Sequence, residues 1–344
     1  MAPAAASSAR AASKRWRIEL PQFYVLYTDR SDYSDDMSRV KPIYDAIDAI
    51  IVDARLDHNN LDRAAYARHL AIADAIITHR VPVDEPAVAA APKLRIAVRG
   101  GVGYENLDLT ALTERGIPGC NVPDYGSEEV AVHALSQLLA LRRQLLFYDS
   151  SLRTGRWQDW EQARTIHRLS LQTAGIVGFG RIGREFAARA RAFFGEVIAC
   201  DPYIAPEEIT ARGVRPVSID ELLASADAVT LHVPLSPETT HLIGEPQLRR
   251  MKRNAVLVNT SRGPVVDQLA LAQALEHEWI EGAACDVWER EPPDPAHPLL
   301  RCPNFVASPH VAYYSEEGDR DLRRLAAEEV ARVLRGEPPR CRLN

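Results

Sequence analysis

The sequence has no apolar run approaching the ~20 residues a membrane-spanning helix needs, so no membrane partner is expected. It has no positive excess either. Lys and Arg number 41 against 47 Asp and Glu, a net charge of −6, which argues against a nucleic-acid footprint. The five cysteines (Cys120, Cys200, Cys285, Cys302, Cys341) are odd in number, scattered and free of C-x-x-C pairs. That pattern excludes a disulfide framework or zinc site and predicts buried free thiols in a reducing, cytoplasmic setting. No metal-ligand cluster and no internal repeat is found, so no metal is expected. Residues 1–17 hold four basic and no acidic residues and lack an apolar h-region. They are not a secretory signal; their composition resembles a transit peptide, but a disordered tail is expected. What remains is ordinary for globular chains, 46% apolar and 26% charged, with room for about two domains.

The stretch from Leu171 to Asp201 carries the strongest local pattern. Ala174 to Phe179 is an apolar run, and Gly178, Gly180 and Gly183 form G-x-G-x-x-G. From Arg181 to Phe194 apolar residues recur at helical spacing, Glu196 to Cys200 is a second apolar run, and Asp201 closes it. Gly178 permits a sharp turn, Gly180 lets the backbone approach a pyrophosphate, and Gly183 lets helix and strand pack closely. The helix N-terminus offers free N–H groups and the positive end of its dipole. The acid follows at about 20 residues, where a ribose hydroxyl acceptor is expected. A dinucleotide-binding unit is therefore predicted.

Short strands alternate with helices along the rest of the chain, which predicts parallel sheets. Strands are expected at Phe23–Tyr27, Ile47–Val52, Ala75–Thr78, Leu94–Val98, Ile117–Val122, Ala228–Leu235, Ala255–Asn259, Gly282–Val287 and Phe305–Ala307. Ala64–Leu70 and Leu242–Lys252 read as helical. Ser127, read as an N-cap, opens a long helix reaching about Tyr148 whose apolar surface is too wide for one core-facing stripe. Residues 151–170 read as an irregular connection with its tryptophans packed under a loop. Ser218 and Asp267 cap further helices, and Ser315 caps the last, which Gly336 and Pro338-Pro339 stop.

Polar residues gather just past strand ends: Arg99, His232, Arg262, Asp286, Glu291 and His310. Each alone has a plain reading as a surface charge or a hydrogen-bonded core residue. In a doubly wound sheet such ends share one edge, so together they suggest a ligand site. Arg99 beside Gly100, Gly101 and Gly103 fits an anion cradle better than a plain turn. A histidine can move a hydroxyl proton, a carboxylate beside it orients the ring, and an arginine can bind a carboxylate and polarise a ketone.

The segments VRGGVGYENLDL, GIPGCNVPDY, GIVGFGRIG, VLVNTSRGPVVDQLAL, AACDVWEREPP and NFVASPHVAYYSEE resemble the D-isomer-specific 2-hydroxyacid dehydrogenases, in family order from about Phe23 to Gly336. PDYGSEEVAVHAL and HVAYYSEE are most similar to the branch containing the C-terminal-binding proteins, although its co-repressors carry Trp at Tyr313. The resemblance implies two Rossmann-like or flavodoxin-like doubly wound α/β domains, the dinucleotide domain (124–310) inserted into a substrate domain (18–123 plus 311–344). It implies Arg262, Glu291 and His310 as the catalytic trio, Glu291 being preferred to Glu289 because it directly precedes Pro292. Arg99 and the amides of Gly101 and Val102 would hold the substrate carboxylate. Arg181, Ile182, Asp201, Thr260, Ser261 and Asp286 match positions that contact NAD, with Asp286 on the nicotinamide carboxamide; His232 and Pro234 join them. It further implies a 2-hydroxyacid or 2-ketoacid substrate and a homodimer through the Ser127 helix. An NAD-sensing co-repressor-like binding protein and a phosphorus-oxyacid dehydrogenase stay open as alternatives.

Overall fold

The computed structural model describes residues 22–29, 37–157 and 163–344. The expected N-terminal tail, most of the loop after Asp29 and Trp160 lie outside them. The chain forms two compact units. Of the described residues, the first takes those up to 100 with 104–121 and 326–344; the second takes 101–103 and those between 122 and 325, and is inserted into it.

The first unit carries β1 (Phe23–Asp29), β2 (Ala49–Leu56), β3 (Ala75–Thr78), β4 (Ile96–Arg99) and β5 (Gly119–Cys120), all parallel, in the order β2-β1-β3-β4-β5. That is a flavodoxin-like order. Leu26, Ile76, Ala97, Leu112 and Ile117 anchor a core on one face of this sheet. Asp29 closes the next turn: its carboxylate accepts the amides of His79, Arg80 and Val81 at 2.7, 2.7 and 2.9 Å. β5 is much shorter than the expected Ile117–Val122. It is an edge strand that Pro118 cannot extend by N–H donation, and the Val122 amide goes to the Gly101 carbonyl instead.

The second unit carries β6 (Thr173–Val177), β7 (Glu196–Cys200), β8 (Arg215–Pro216), β9 (Ala228–Leu231), β10 (Val256–Asn259), β11 (Gly282–Cys285) and β12 (Phe305–Ala307). All are parallel, in the order β12-β11-β10-β9-β6-β7-β8. Counted from β6 this is the Rossmann order, with its switch point between β6 and β9. The β6-to-β7 crossover is the Arg181–Ala190 helix, placed where the glycine pattern predicts it. With the Ser127–Arg142 helix it contributes to a core of Ala134, Leu138, Phe186 and Ala190 on one face. Leu222, Leu248, Leu271 and Leu275 build a second core in the same unit.

Several boundaries differ from expectation. Gly126, not Ser127, is the N-cap, and Ser127 begins the helix without a capping bond. Glu128 and Glu129 still complement the dipole there. The long helix is two, Ser127–Arg142 and Leu145–Arg153, broken where Gln144 takes a left-handed φ of 51°. β9 stops at Leu231, short of Pro234, where its neighbours β6 and β10 also end. The helix expected at Leu242–Lys252 runs only over Glu245–Arg250. Trp157 is 76% exposed, not packed under a loop. Asp267, Ser218 and Ser315 accept helix-starting amides as predicted. The cysteines are free, but only Cys120 and Cys285 are fully buried. Among the described residues no helix is long and apolar enough to cross a membrane, and no group of three or more His, Cys, Asp or Glu is placed to hold a metal.

Candidate functional site

Parallel strands put the carboxyl ends of β6, β7 and β9–β12 on one edge of the second sheet. Gly178, Asp201, His232, Thr260 to Arg262, Asp286 and His310 all follow those ends within three residues. Arg99 does not share this edge. It is the last residue of β4 in the first sheet, while Gly101 and Val102 count with the second unit.

The glycine turn is built as the pattern requires. Gly178 has φ 91°, a region that L side chains rarely adopt. A Cβ on Gly183 would stand 2.2 Å from the Gly178 carbonyl oxygen, so only glycine lets this helix sit so close to β6. A Cβ on Gly180 would meet nothing within 4 Å. Gly180 is the N-cap of the Arg181–Ala190 helix with no side-chain cap, so that open space faces a helix start rich in free N–H groups. Arg181 pairs with Asp124 at 2.7 Å, both exposed, and Ile182 is half-buried. Asp201 is fixed through both oxygens, accepting the Phe179 amide at 2.7 Å and the Tyr203 amide at 2.9 Å. The Tyr203 hydroxyl donates to Glu238 at 2.7 Å.

Two buried polar atoms on this edge, His232 Nδ1 and Thr260 Oγ1, lack a hydrogen-bond partner. Burial pushes the His232 imidazole down to about 3, so it is neutral near pH 7. Buried polar atoms without partners are uncommon, and a bound ligand is one way to satisfy them. With the open space at Gly180, they fit a dinucleotide laid along this edge. Ser261 is instead used internally, its hydroxyl donating to Asn259 Oδ1 at 2.7 Å. Pro234 is exposed beyond β9.

The acid, base and arginine come together on the β10, β11 and β12 side. His310 Nδ1 and Glu291 Oε2 are 2.7 Å apart, and Glu291 Oε1 accepts the Trp288 amide at 3.1 Å. Burial alone would raise the Glu291 carboxyl. The hydrogen bond and charge of His310, the Trp288 amide and the Arg262 charge outweigh it and hold the carboxyl below its ordinary value. Glu289 serves elsewhere, accepting the Gln268 amide at 3.3 Å and lying 3.1 Å from His241 Nε2. The Arg262 guanidinium donates to the Ser261 carbonyl at 2.7 Å, and its own carbonyl is held by Asn259 at 2.9 Å. Tyr313 packs edge-on to His310, and Tyr125 edge-on to Tyr313.

Asp286 is fully buried. Its carboxylate accepts the amides of Val311 and Ala312 and the Ser308 hydroxyl. Ser308 is reached in turn by Gln137 and His133. Sequence reading gave no role to Tyr125, His133, Gln137 or Ser308. They lie far along the chain from the residues they touch and match no spacing rule.

A family model described as the NAD-binding domain of D-isomer-specific 2-hydroxyacid dehydrogenases matches residues 135–312. A glyoxylate reductase from Korarchaeum cryptofilum is 43% identical over 75% of this chain and 78% of its own length. A D-3-phosphoglycerate dehydrogenase from Archaeoglobus fulgidus is 37% identical over 78% of this chain, which spans 51% of that relative. Among solved structures, the D-lactate dehydrogenase of Aquifex aeolicus complexed with NAD and lactic acid superposes with a TM-score of 0.80 at 26% identity, covering 91% of this chain and 96% of that one.

Proposed function

Because the chain belongs to the D-isomer-specific 2-hydroxyacid dehydrogenase family and is an NAD-dependent oxidoreductase, we propose that it interconverts a small 2-ketoacid and its D-2-hydroxyacid, with His310 as the acid/base. The observation that carries this reading is the 2.7 Å His310–Glu291 pair with the Arg262 charge beside it. Gly178, Gly180, Arg181, Ile182, Gly183, Asp201, His232, Pro234, Thr260, Ser261 and Asp286 would hold the cofactor. Bound NAD supplies the hydride acceptor, and its reduced form the donor.

Glu291 occupies His310 Nδ1, which leaves Nε2 to carry the transferred proton. In reduction the imidazolium gives that proton to the ketone oxygen, and in oxidation the neutral ring takes it from the hydroxyl. Glu291 favours the charged ring and fixes its orientation. Arg262 stays charged throughout and polarises the carbonyl. Arg99 and the amides of Gly101 and Val102 would serve as carboxylate-binding groups. The expected NAD-binding domain, 124–310, corresponds to the inserted unit, which takes in 311–325 as well, and the remaining unit would serve as the substrate domain. The chain would work in the cytoplasm as a homodimer.

Glyoxylate is the first substrate to test, on the strength of the reductase relative. A panel of 2-ketoacids, glyoxylate and hydroxypyruvate included, is followed at 340 nm with NADH and with NADPH. Saturable oxidation of NADH by at least one short ketoacid is expected. NADH binding with no turnover on any acid would instead favour an NAD-sensing binding protein.

A further inference from the structure

His310 has a left-handed φ of 56°, which a non-glycine residue holds only where its surroundings impose it. The constraint comes from one buried residue. The Asp286 carbonyl accepts the His310 amide at 2.7 Å, Asp286 Oδ1 the Val311 amide at 3.0 Å, and Oδ2 the Ala312 amide at 2.8 Å. Three consecutive amides thus converge on Asp286. A fourth donor, the Ser308 hydroxyl, adds to the Val311 amide on Oδ1 and ties the carboxylate to a neighbouring helix.

The Ser308 hydroxyl has one proton, and the carboxylate can only accept, so that proton points to Asp286. The hydroxyl oxygen then accepts from Gln137 Nε2 at 2.9 Å and from His133 Nε2 at 3.0 Å, which makes the His133 nitrogen a donor. The hydroxyl's capacity is filled by this one arrangement. Gln137 is 5% exposed, and its Oε1 has no partner. A buried amide with one end unsatisfied is unfavourable, so its contact with Ser308 is the polar interaction this side chain is kept for.

We propose that Ser308 is a positioning residue for the reaction: it transmits the placement of the Ser127–Arg142 helix, through Asp286, to the turn that holds His310. The proposal rests on the reading of His310 as acid/base. Without the hydroxyl, Gln137 Nε2 would face a methyl group, His133 Nε2 would keep only the 3.6 Å approach to Asp286 Oδ1, and that oxygen would be left with the Val311 amide alone, so the link from the helix to the carboxylate would slacken. The His310 turn would then loosen while Gly178, Gly180 and Asp201 stay in place. The carboxylate uses about three of its roughly four acceptor sites in this arrangement, which leaves one for a cofactor amide.

The test uses the full chain as wild type, Ser308→Ala, Ser308→Thr, His310→Ala and the Ser308→Ala/His310→Ala double variant. Steady-state rates are measured with NADH and the best ketoacid, and NADH affinity by fluorescence titration. Ser308→Ala should lower kcat about tenfold, as a small misplacement of a reacting group does, and leave the NADH Kd within about twofold. Ser308→Thr, which keeps the hydroxyl, should recover most of the rate. In the His310→Ala background the Ser308 change should have no further effect, because both act through one group. An unchanged kcat in Ser308→Ala, or the same fractional loss with His310 already removed, would overturn the proposal. If Ser308→Ala does not fold, Gln137→Met is measured in its place, with a smaller loss of kcat expected and an unchanged rate counting against the relay. Wild-type turnover by His310→Ala would refute the acid/base reading itself, whereas an impaired His310→Ala beside an unaffected Ser308→Ala refutes the positioning role alone.

Discussion

Glu291 Oε2 and His310 Nδ1 lie 2.7 Å apart, and the other Glu291 oxygen is tied to the Trp288 amide. The pair is therefore held from the glutamate side, and the ring's free nitrogen is Nε2. This gives the two side chains different weights in the reaction.

His310→Ala should lower turnover by about 10²–10⁴-fold, the usual effect of removing a positioned acid/base, with NADH binding nearly intact. Glu291→Gln should lose less, and its pH–rate profile should no longer superimpose on wild type, because the imidazolium lacks its carboxylate partner. Stability provides a second readout. The folded Glu291 carboxyl lies below its ordinary value of 4.5, so its contribution is present above that pH and lost as pH falls through the folded value. Denaturant titrations from pH 7 to 3 should show a shallower acid decline in Glu291→Gln. A decline of wild-type steepness would remove Glu291 from that balance.

Gly183 and Gly180 separate packing from ligand approach. Gly183→Ala forces a Cβ to 2.2 Å from a backbone carbonyl. Overpacking of this kind costs about 1–3 kcal/mol or more, so both melting temperature and NADH affinity should fall. Gly180→Ala meets no atom within 4 Å and has φ −70°, so the fold should tolerate it. NADH affinity should still drop, because the methyl stands where the pyrophosphate approaches. A Gly180→Ala protein with wild-type NADH affinity would place the phosphates elsewhere.

The helix pair Ser127–Arg142 and Leu145–Arg153 leaves Val132, Leu145, Leu146 and Leu152 between 43% and 58% exposed. Several large apolar side chains exposed on consecutive helices are unusual for a surface that stays in water. We predict a homodimer that covers them. Sedimentation velocity at micromolar concentration should show a dimer, and Leu145→Glu with Leu146→Glu should shift it to monomer. A monomeric wild type would overturn the assignment.

The dinucleotide unit was legible because its requirements are local. A φ of 91° at Gly178, where a Cβ would stand 2.6 Å from the His232 carbonyl oxygen, and a 2.2 Å approach at Gly183 call for glycine, and both fall inside one six-residue pattern. The strand sequence was legible too: individual ends moved by a few residues, as at β9, but the strands still place His232, Arg262, Asp286 and His310 on one edge. The second layer was not legible. Ser308 meets His133 and Gln137 across 175 and 171 residues, and no periodicity links them. The break at Gln144 was hidden because no glycine or proline marks it. The N-cap lies one residue before the serine that sequence favours, because Gly126 takes the non-helical conformation.

Cofactor choice is the last consequence of the geometry. Asp201 sits one residue past β7, and both its oxygens are fixed by the amides of Phe179 and Tyr203. Each oxygen keeps a lone pair for a ribose hydroxyl of NAD. The 2′-phosphate of NADP would bring negative charge against a carboxylate that cannot swing aside without breaking both bonds. Glu207 and Glu208 follow, and no basic residue occurs between Asp201 and Arg212 to receive a phosphate. The discrimination rests on repulsion as much as on the hydrogen bond. We therefore expect kcat/KM with NADH to exceed that with NADPH by at least about tenfold, or roughly 1.4 kcal/mol. Asp201→Ala should narrow the ratio from both sides, weakening NADH use and relieving the clash with NADPH. It should also lower stability, chiefly because the part-buried Phe179 amide loses a charged acceptor, whereas the exposed Tyr203 amide can turn to water. Asp201→Asn keeps an acceptor oxygen without the charge. It should retain more stability than Asp201→Ala while narrowing the cofactor ratio. Equal efficiency of the wild-type enzyme with both cofactors would show that Asp201 does not set the choice.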